Sequence, residues 1–296
     1  IIQGANVNEA RGDGITALHA AAERGHWDVT ERLLEAGAAV DPETRIGSYK
    51  PLHLAAQSAH LEVAEQLLAA GADPNSVTTN SGVTPLHLAA TAIKGHATVA
   101  LLLTHGADPN IREVSSGQTP LMFAAAENRA AAISVLTRHG ADPSLQTKVV
   151  DVLYSLALDR AASLQLQRTI DSLQVAESGD RDWRPTPQQV TEAIRTQRAF
   201  VESNPDVGPH DPVSLARVRP DFPGGPEVVR PPFTETLVGK TGGMTALLHA
   251  AREGNAEAAI ALLDSGADIN QVSGGDETSP LLIATMNGQF DLALRL

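Results

Sequence analysis

Markers of two kinds recur along this chain at one spacing. Gly-Ala pairs begin at Gly4, Gly37, Gly71, Gly106 and Gly140, at intervals of 33, 34, 35 and 34, and once more at Gly266. A threonine-type position recurs as Thr16, Lys50, Thr84, Thr119, Thr245 and Ser279, at intervals of 34, 34, 35, 126 and 34. Self-similarity at a fixed period of this length is the signature of a solenoid, in which each unit buries its apolar faces only against its neighbours. One interval departs from the rest. The step of 126 equals one unit of about 34 residues plus a further 92, so the array is interrupted once.

Within a unit, local chemistry follows a fixed order. A turn rich in Gly, Asn and Asp leads to Thr followed by Pro or Ala, as in "TPLHLAA" and "TALHAAAERG". Threonine is a good N-cap, and proline suits the first helical position because its missing N–H would be unpaired there anyway. The spacing predicts a short Ala-rich helix that stops at Gly25, Gly95, Gly254 or Gly288. A second helix carries apolar residues at helical spacing, such as Val63, Leu67 and Leu68, and ends in Gly-Ala, the glycine supplying a left-handed cap. Aromatics are 3% of the chain, so Leu and Ala fill the core, which suits closely packed helices.

These units resemble the ankyrin repeat, over residues 1–145 and 242–296. The resemblance implies an all-α solenoid of helix–turn–helix units with short β-hairpin fingers, interrupted by a helical and Pro-rich insertion. Departures are local. Lys50 replaces the threonine, Ala59 and Asn128 replace the inter-helix glycine, and "TAIK" is expected to lengthen one junction by two residues. Met122, Leu248 and Leu282 stand where other units have His19, His53 and His87. An apolar residue replaces histidine there, which suits packing and hydrogen bonding and not catalysis or metal binding.

Residues 146–241 differ in character. "VVDVLYSLALDRAASLQLQRTIDSLQ" has helical periodicity and is expected to form one long or two short helices, with a degenerate repeat docked on the fourth unit as an alternative. "PTPQQVTEAIRTQRAFVES" is expected to form another helix, with Thr186 and Gln189 as a capping box and Pro187 in the first turn. From Asn204 to Glu235 the density of Pro and Gly excludes helix and central strand, and an extended loop is expected. Trp183, Phe200, Phe222 and Phe233 concentrate in the insertion. They suit either a docking element or a loop pinned to its own scaffold.

"LVGKTGG" at 237–243 lacks the glycine of a phosphate loop, since Thr234 stands there, and it reads as a hairpin entering the fifth full unit. There is no paired-His metal motif, no calcium loop, no nucleophile elbow and no cysteine, so no cofactor or metal site is expected. His96, His105 and His139 fall at unit corners and read as surface or capping groups. Net charge is −13, of which −11 lies outside residues 146–241. An acidic surface repels phosphate backbones, and no apolar run reaches the roughly 18 residues that span a bilayer. Neither nucleic acid nor membrane insertion is expected.

The resemblance implies binding of another protein through the fingers and the concave face. Its variable positions are the residue before the Thr position and the two after the Ala pair. Here these are Ile15, Glu23, Arg24, Tyr49, Gln57, Ser58, Val83, Thr91, Gln118, Ala126, Glu127, Met244, Arg252, Glu253, Thr278, Met286 and Asn287. The expected function is a non-catalytic scaffold or accessory subunit whose partner has a basic or mixed-charge surface. Two alternatives stay open: self-assembly through uncapped repeat ends, since "IIQGANVN" and "GQFDLALRL" read as partial units, and a ligand or enzyme function carried by the insertion.

Overall fold

The computed structural model describes residues 5–177, 183–208 and 239–296. By contacts the chain divides into two compact units, residues 1–148 with 242–296, and residues 149–241.

The first unit is a row of helix pairs. They are α1 (Ala17–Arg24) with α2 (Trp27–Glu35), α3 (Pro51–Gln57) with α4 (Leu61–Ala69), α5 (Pro85–Thr91) with α6 (His96–Thr104), and α7 (Pro120–Ala126) with α8 (Ala130–Arg138). After the insertion come α11 (Ala246–Glu253) with α12 (Ala256–Asp264), and α13 (Pro280–Met286) with α14 (Phe290–Ala293). The first helices stack in order α1, α3, α5, α7, α11, α13, and α8 packs against α12. The repeat after the insertion therefore takes the face of the fourth repeat that a degenerate repeat would have used.

Three of the first helices begin at a hydroxyl cap. The Thr16, Thr245 and Ser279 hydroxyls accept from the backbone N–H three residues on, at 3.4, 3.3 and 3.2 Å. Leu18, Leu52, Leu86, Leu121 and Leu247, two residues past the N-caps of the first five first helices, are at most 1% exposed. Behind them the alanine pairs let neighbouring helices approach closely, and one Leu- and Ala-rich core runs through the whole row.

Turns explain where sequence and structure part. Gly25 and Gly254 end α1 and α11 in the left-handed conformation, at φ 71° and 77°. Where the glycine is missing, Ala59 and Asn128 adopt the same conformation, at φ 54° and 56°. The geometry is kept at a steric cost of roughly 1–2 kcal/mol for alanine and less for asparagine, whose short amide tolerates it. Gly95 does not end a first helix: α5 stops at Thr91, and Gly95 is the N-cap of α6. The longer junction amounts to one residue, not two. From cap to first residue of the second helix is 12 positions for Thr84 to His96, against 11 for Lys50 to Leu61.

The second unit contains a single long helix, α9 (Val152–Glu177, 26 residues), and α10 (Pro187–Ser203), packed against each other. Among its described residues the buried hydrophobic side chains are small, Ala157, Ala161, Ala162, Ala193 and Val207. The helix α10 starts with the capping box: Thr186 N–H donates to Gln189 Oε1 at 2.8 Å, and Gln189 N–H to Thr186 Oγ1 at 3.4 Å. Trp183 and Phe200 are half-buried. Phe222, Phe233 and most of the Pro- and Gly-rich stretch lie outside the described residues. Part of "LVGKTGG" is described. Its strand β2 (Lys240–Gly242) pairs with β1 (Val149–Asp151), at the far end of the insertion, rather than forming a local hairpin.

Candidate functional site

The fingers between helix pairs are tied by one recurring exchange. Thr44 N–H donates to the Tyr49 carbonyl at 3.0 Å, and Tyr49 N–H donates to Thr44 Oγ1 at 2.9 Å. The same pair of bonds joins Thr78 to Val83, Glu113 to Gln118 and Ser273 to Thr278. Serine, threonine and glutamate are interchangeable here because each offers a side-chain oxygen within reach of the backbone. Glu113 offers most. It accepts from the N–H groups of Ser115, Ser116 and Gln118 and from the Ser116 hydroxyl. Burial pushes its carboxyl up, but these hydrogen bonds outweigh it and hold the group at about 2.

Neighbouring fingers are laddered as well. Arg45 N–H donates to Asp13 C=O, Thr79 to Gly47, Val114 to Ser81 and Lys148 to Ser116, at 2.7–3.0 Å. After the insertion Gly274 N–H donates to Gly243 C=O at 3.0 Å.

Histidines join fingers to helices. The Nδ1 atoms of His19, His53 and His87 accept the cap N–H of Thr16, Lys50 and Thr84 at 3.2, 3.1 and 3.2 Å. That fixes the proton on Nε2, which donates to the carbonyls of Tyr49, Ser76 and Gln118 at 3.0, 3.1 and 3.2 Å. Both ring nitrogens are occupied and all three rings are fully buried. Burial lowers His19 and holds His53 and His87 at about 4, so they stay neutral. This arrangement is architecture. Met122 keeps half of it, with its sulfur 3.5 Å from Thr119 N–H. His105 and His139 bond back to the carbonyls of Leu101 and Val135, capping their own helices.

Stacking aligns the expected site residues into two rows. Along the fingers run Ile15, Tyr49, Val83, Gln118, Met244 and Thr278. Along the ends of the first helices run Glu23 and Arg24, Gln57 and Ser58, Thr91, Ala126 and Glu127, Arg252 and Glu253, and Met286 and Asn287. Val83 and Thr278 are each only 8% exposed, so they offer little side chain to a partner. The Tyr49 ring is half-buried, edge-on to His53 with centroids 5.9 Å apart. Gln118 gives its carbonyl to His87, and its side-chain nitrogen lies 3.4 Å from His249 Nε2. The Thr91 hydroxyl and the Asn287 amide bond back to their own helices. The others on the helix-end row are exposed, apart from half-buried Ala126. Some of its charges are paired beside it or within it: Glu127 faces Arg129, at the start of α8, at 3.7 Å, and Arg252 faces Glu253 at 2.9 Å.

A third row was missed. Ala20, Leu54, Leu88, Phe123, His249 and Ile283 sit three and four positions before the helix-end residues, on the same helical face. Most are half-buried and mainly apolar. The signal was in the sequence, since i, i+3, i+4 spacing from Glu23 and Arg24 leads back to Ala20. His249 is the exception in this row. It is 4% exposed, its Nδ1 has no partner, and burial followed by the Arg252 charge holds it at about 4.

A family model of ankyrin repeats, built of three copies, matches residues 1–78 and again 52–147, and a single-repeat model matches 242–274. The chain belongs to the ankyrin-repeat family. No curated protein matches it. Ankyrin repeats are generally protein–protein interaction modules. Among the described residues no group of His, Asp or Glu is placed to hold a metal ion, and no helix is long and apolar enough to cross a membrane.

Proposed function

We propose that this ankyrin-repeat chain is a non-catalytic scaffold or accessory subunit that binds a partner protein through its fingers and concave face. The supporting observation is the continuity of that face: Met244, 97 positions after Thr147, takes the same place in the finger row as Gln118 and Val83. The partner has a basic or mixed-charge surface, in keeping with the excess of acidic residues outside the insertion. Charged rims steer encounter more than they hold the complex, so raising salt slows association more than it speeds dissociation.

The test uses the partner that co-purifies with the intact chain. Tyr49→Ala and Met244→Ala are expected to weaken its binding by more than about 1 kcal/mol each, and Glu65→Ala, exposed on α4, to do little. Silent changes at Tyr49 and Met244 together with a large effect at Glu65 would move the site to the outer face.

Head-to-tail self-association is a second reading. It follows from the resemblance alone, since each repeat buries its apolar faces only against its neighbours. Sedimentation of the purified chain as a monomer across a wide concentration range would remove it.

A further inference from the structure

Apart from the concave face, we propose that the outer face of the third to fifth repeats is a second docking surface. It seats a helix of a partner protein that is apolar along its middle and basic at both ends.

Comparison of the second helices is the first ground. They pack side by side in the order α2, α4, α6, α8, α12. The buried Leu67, Leu102, Leu136 and Leu262 mark matching positions on the last four. Where α4 places Glu62 and Glu65, α6 places Ala97 and Ala100, and α8 places Ala131 and Ser134. On α12 the same positions are Glu257 and Ile260, the isoleucine 43% exposed. An outer helix is ordinarily polar on its solvent side, and α6 is not. A contiguous exposed apolar patch with a polar rim marks an interaction site.

Charge decides the occupant. Lys94, ahead of α6, and Arg138, in the last turn of α8, are cations at the edges of the patch. Exposed acids stand beyond it on both sides, Glu62 and Glu65 on α4, Glu257 and Asp264 on α12. A basic group is therefore repelled from the middle and attracted at either end. A second copy of this chain would set acidic flanks against acidic flanks, which like-charge repulsion disfavours.

Backbone chemistry favours a helix over an extended segment. The Ser134 and Thr104 hydroxyls donate within their own helices, to the carbonyls of Ala130 at 3.1 Å and Leu101 at 2.8 Å. An extended chain laid on the patch would leave backbone groups unpaired, whereas a helix has satisfied its own. Packed helices lie about 8–10 Å apart, so α4 and α12, three steps apart, are separated by about 24–30 Å. At about 1.5 Å per residue the two basic ends of the partner helix fall about 16–20 residues apart.

A cavity of about 200 Å³ opens beside the patch and shares Ala131 and Glu257 with it. Its wall includes Ile93, 82% exposed, in the junction that is one residue longer than its equivalents. Two polar residues of the lining are already engaged: Arg129 Nε donates to the Thr91 carbonyl at 2.7 Å, and Asn128 Oδ1 accepts from Ala258 N–H at 3.0 Å. The cavity takes one large apolar side chain from the middle of the partner helix.

The experiment selects alanine-based helical peptides of about 24 residues, randomised along one face, on the intact chain. Enriched peptides should carry Lys or Arg at both ends and large apolar residues between. The affinity of a synthetic winner should fall at least about tenfold between about 0.05 and 0.5 M salt. It should also fall at least about tenfold when Ala97→Glu and Ala131→Glu are made together. Those changes install the residue that α4 and α12 carry at the same position, so the fold accommodates them. Tyr49→Ala should leave the affinity within about twofold. Winners without basic ends, winners indifferent to the Ala97 and Ala131 changes, or no enrichment would overturn the proposal. Winners lost with Tyr49→Ala alone would overturn it and leave the concave-face reading standing. Dimerisation of the chain that Ala97→Glu and Ala131→Glu abolish would put a second copy on this face and overturn it as well.

Discussion

Thr147 and Met244 are 97 positions apart in the chain, yet Met244 N–H donates to Thr147 Oγ1 at 2.8 Å and Thr147 N–H donates to the Met244 carbonyl at 2.9 Å. Thr78 and Val83 make the same exchange across five positions. The insertion is thus spliced into one finger, whose base closes as though the insertion were absent.

Excision is the first consequence. Replacing residues 148–243 by the tip of the third finger, residues 79–82, should leave a solenoid that folds cooperatively with unchanged helical content per repeat. Circular dichroism and a urea melt check this. Thr147→Val, which removes the side-chain acceptor of a nearly buried bond, should cost about 1–3 kcal/mol. Loss of cooperative unfolding in the excised chain would mean that the insertion helps to hold the two repeat blocks together.

Acid should unfold the protein in two windows. His53, His87 and His249 sit at about 4 in the fold against 6.5 when unfolded, so their neutral forms stabilise it above pH 6.5. That contribution is lost as pH falls from 6.5 towards 4, by at most about 3 kcal/mol apiece. Glu113 acts lower, since its ionised form is favoured above 4.5 and the benefit disappears as pH falls towards 2. Urea midpoints measured from pH 7 to pH 3 should therefore start to drop near 6.5. His87→Leu should flatten the upper limb and leave the lower one unchanged.

Left-handed turns give a pair of opposite substitutions. Ala59→Gly should stabilise the chain by roughly 1 kcal/mol, because it relieves the strain of φ 54°. Gly25→Ala should destabilise it by more, since an added Cβ would lie 2.6 Å from the His60 ring at φ 71°. Thermal midpoints of the two variants should move in opposite directions.

The repeats were legible because every unit states its own cap, turn and core, so that Thr84, Gly106 and Leu86 each say the same thing as their equivalents. The role of His53 was legible for the same reason, through its replacement by Met122 and Leu248. Length was harder. The junction at Thr91–Gly95 reads as two residues long because α5 ends early and Gly95 passes to the next helix. The Ala20–Ile283 row escaped notice because half-buried apolar residues look like core in sequence. The splice at Thr147 was hidden because its partner is fixed by the stacking of α8 on α12, which no local pattern encodes.

Stacking across the insertion is the claim on which the continuous binding face depends, and the chain has no cysteine to confuse a direct test. Thr137 Oγ1 on α8 lies 3.1 Å from Ser265 Oγ at the end of α12, although 128 positions separate them. With Thr137→Cys and Ser265→Cys introduced together, mild oxidation should give a monomer that is cross-linked internally in high yield, seen as a mobility shift that reductant reverses. Free thiols after oxidation, or cross-links between chains only, would show that the fourth and fifth repeats do not stack.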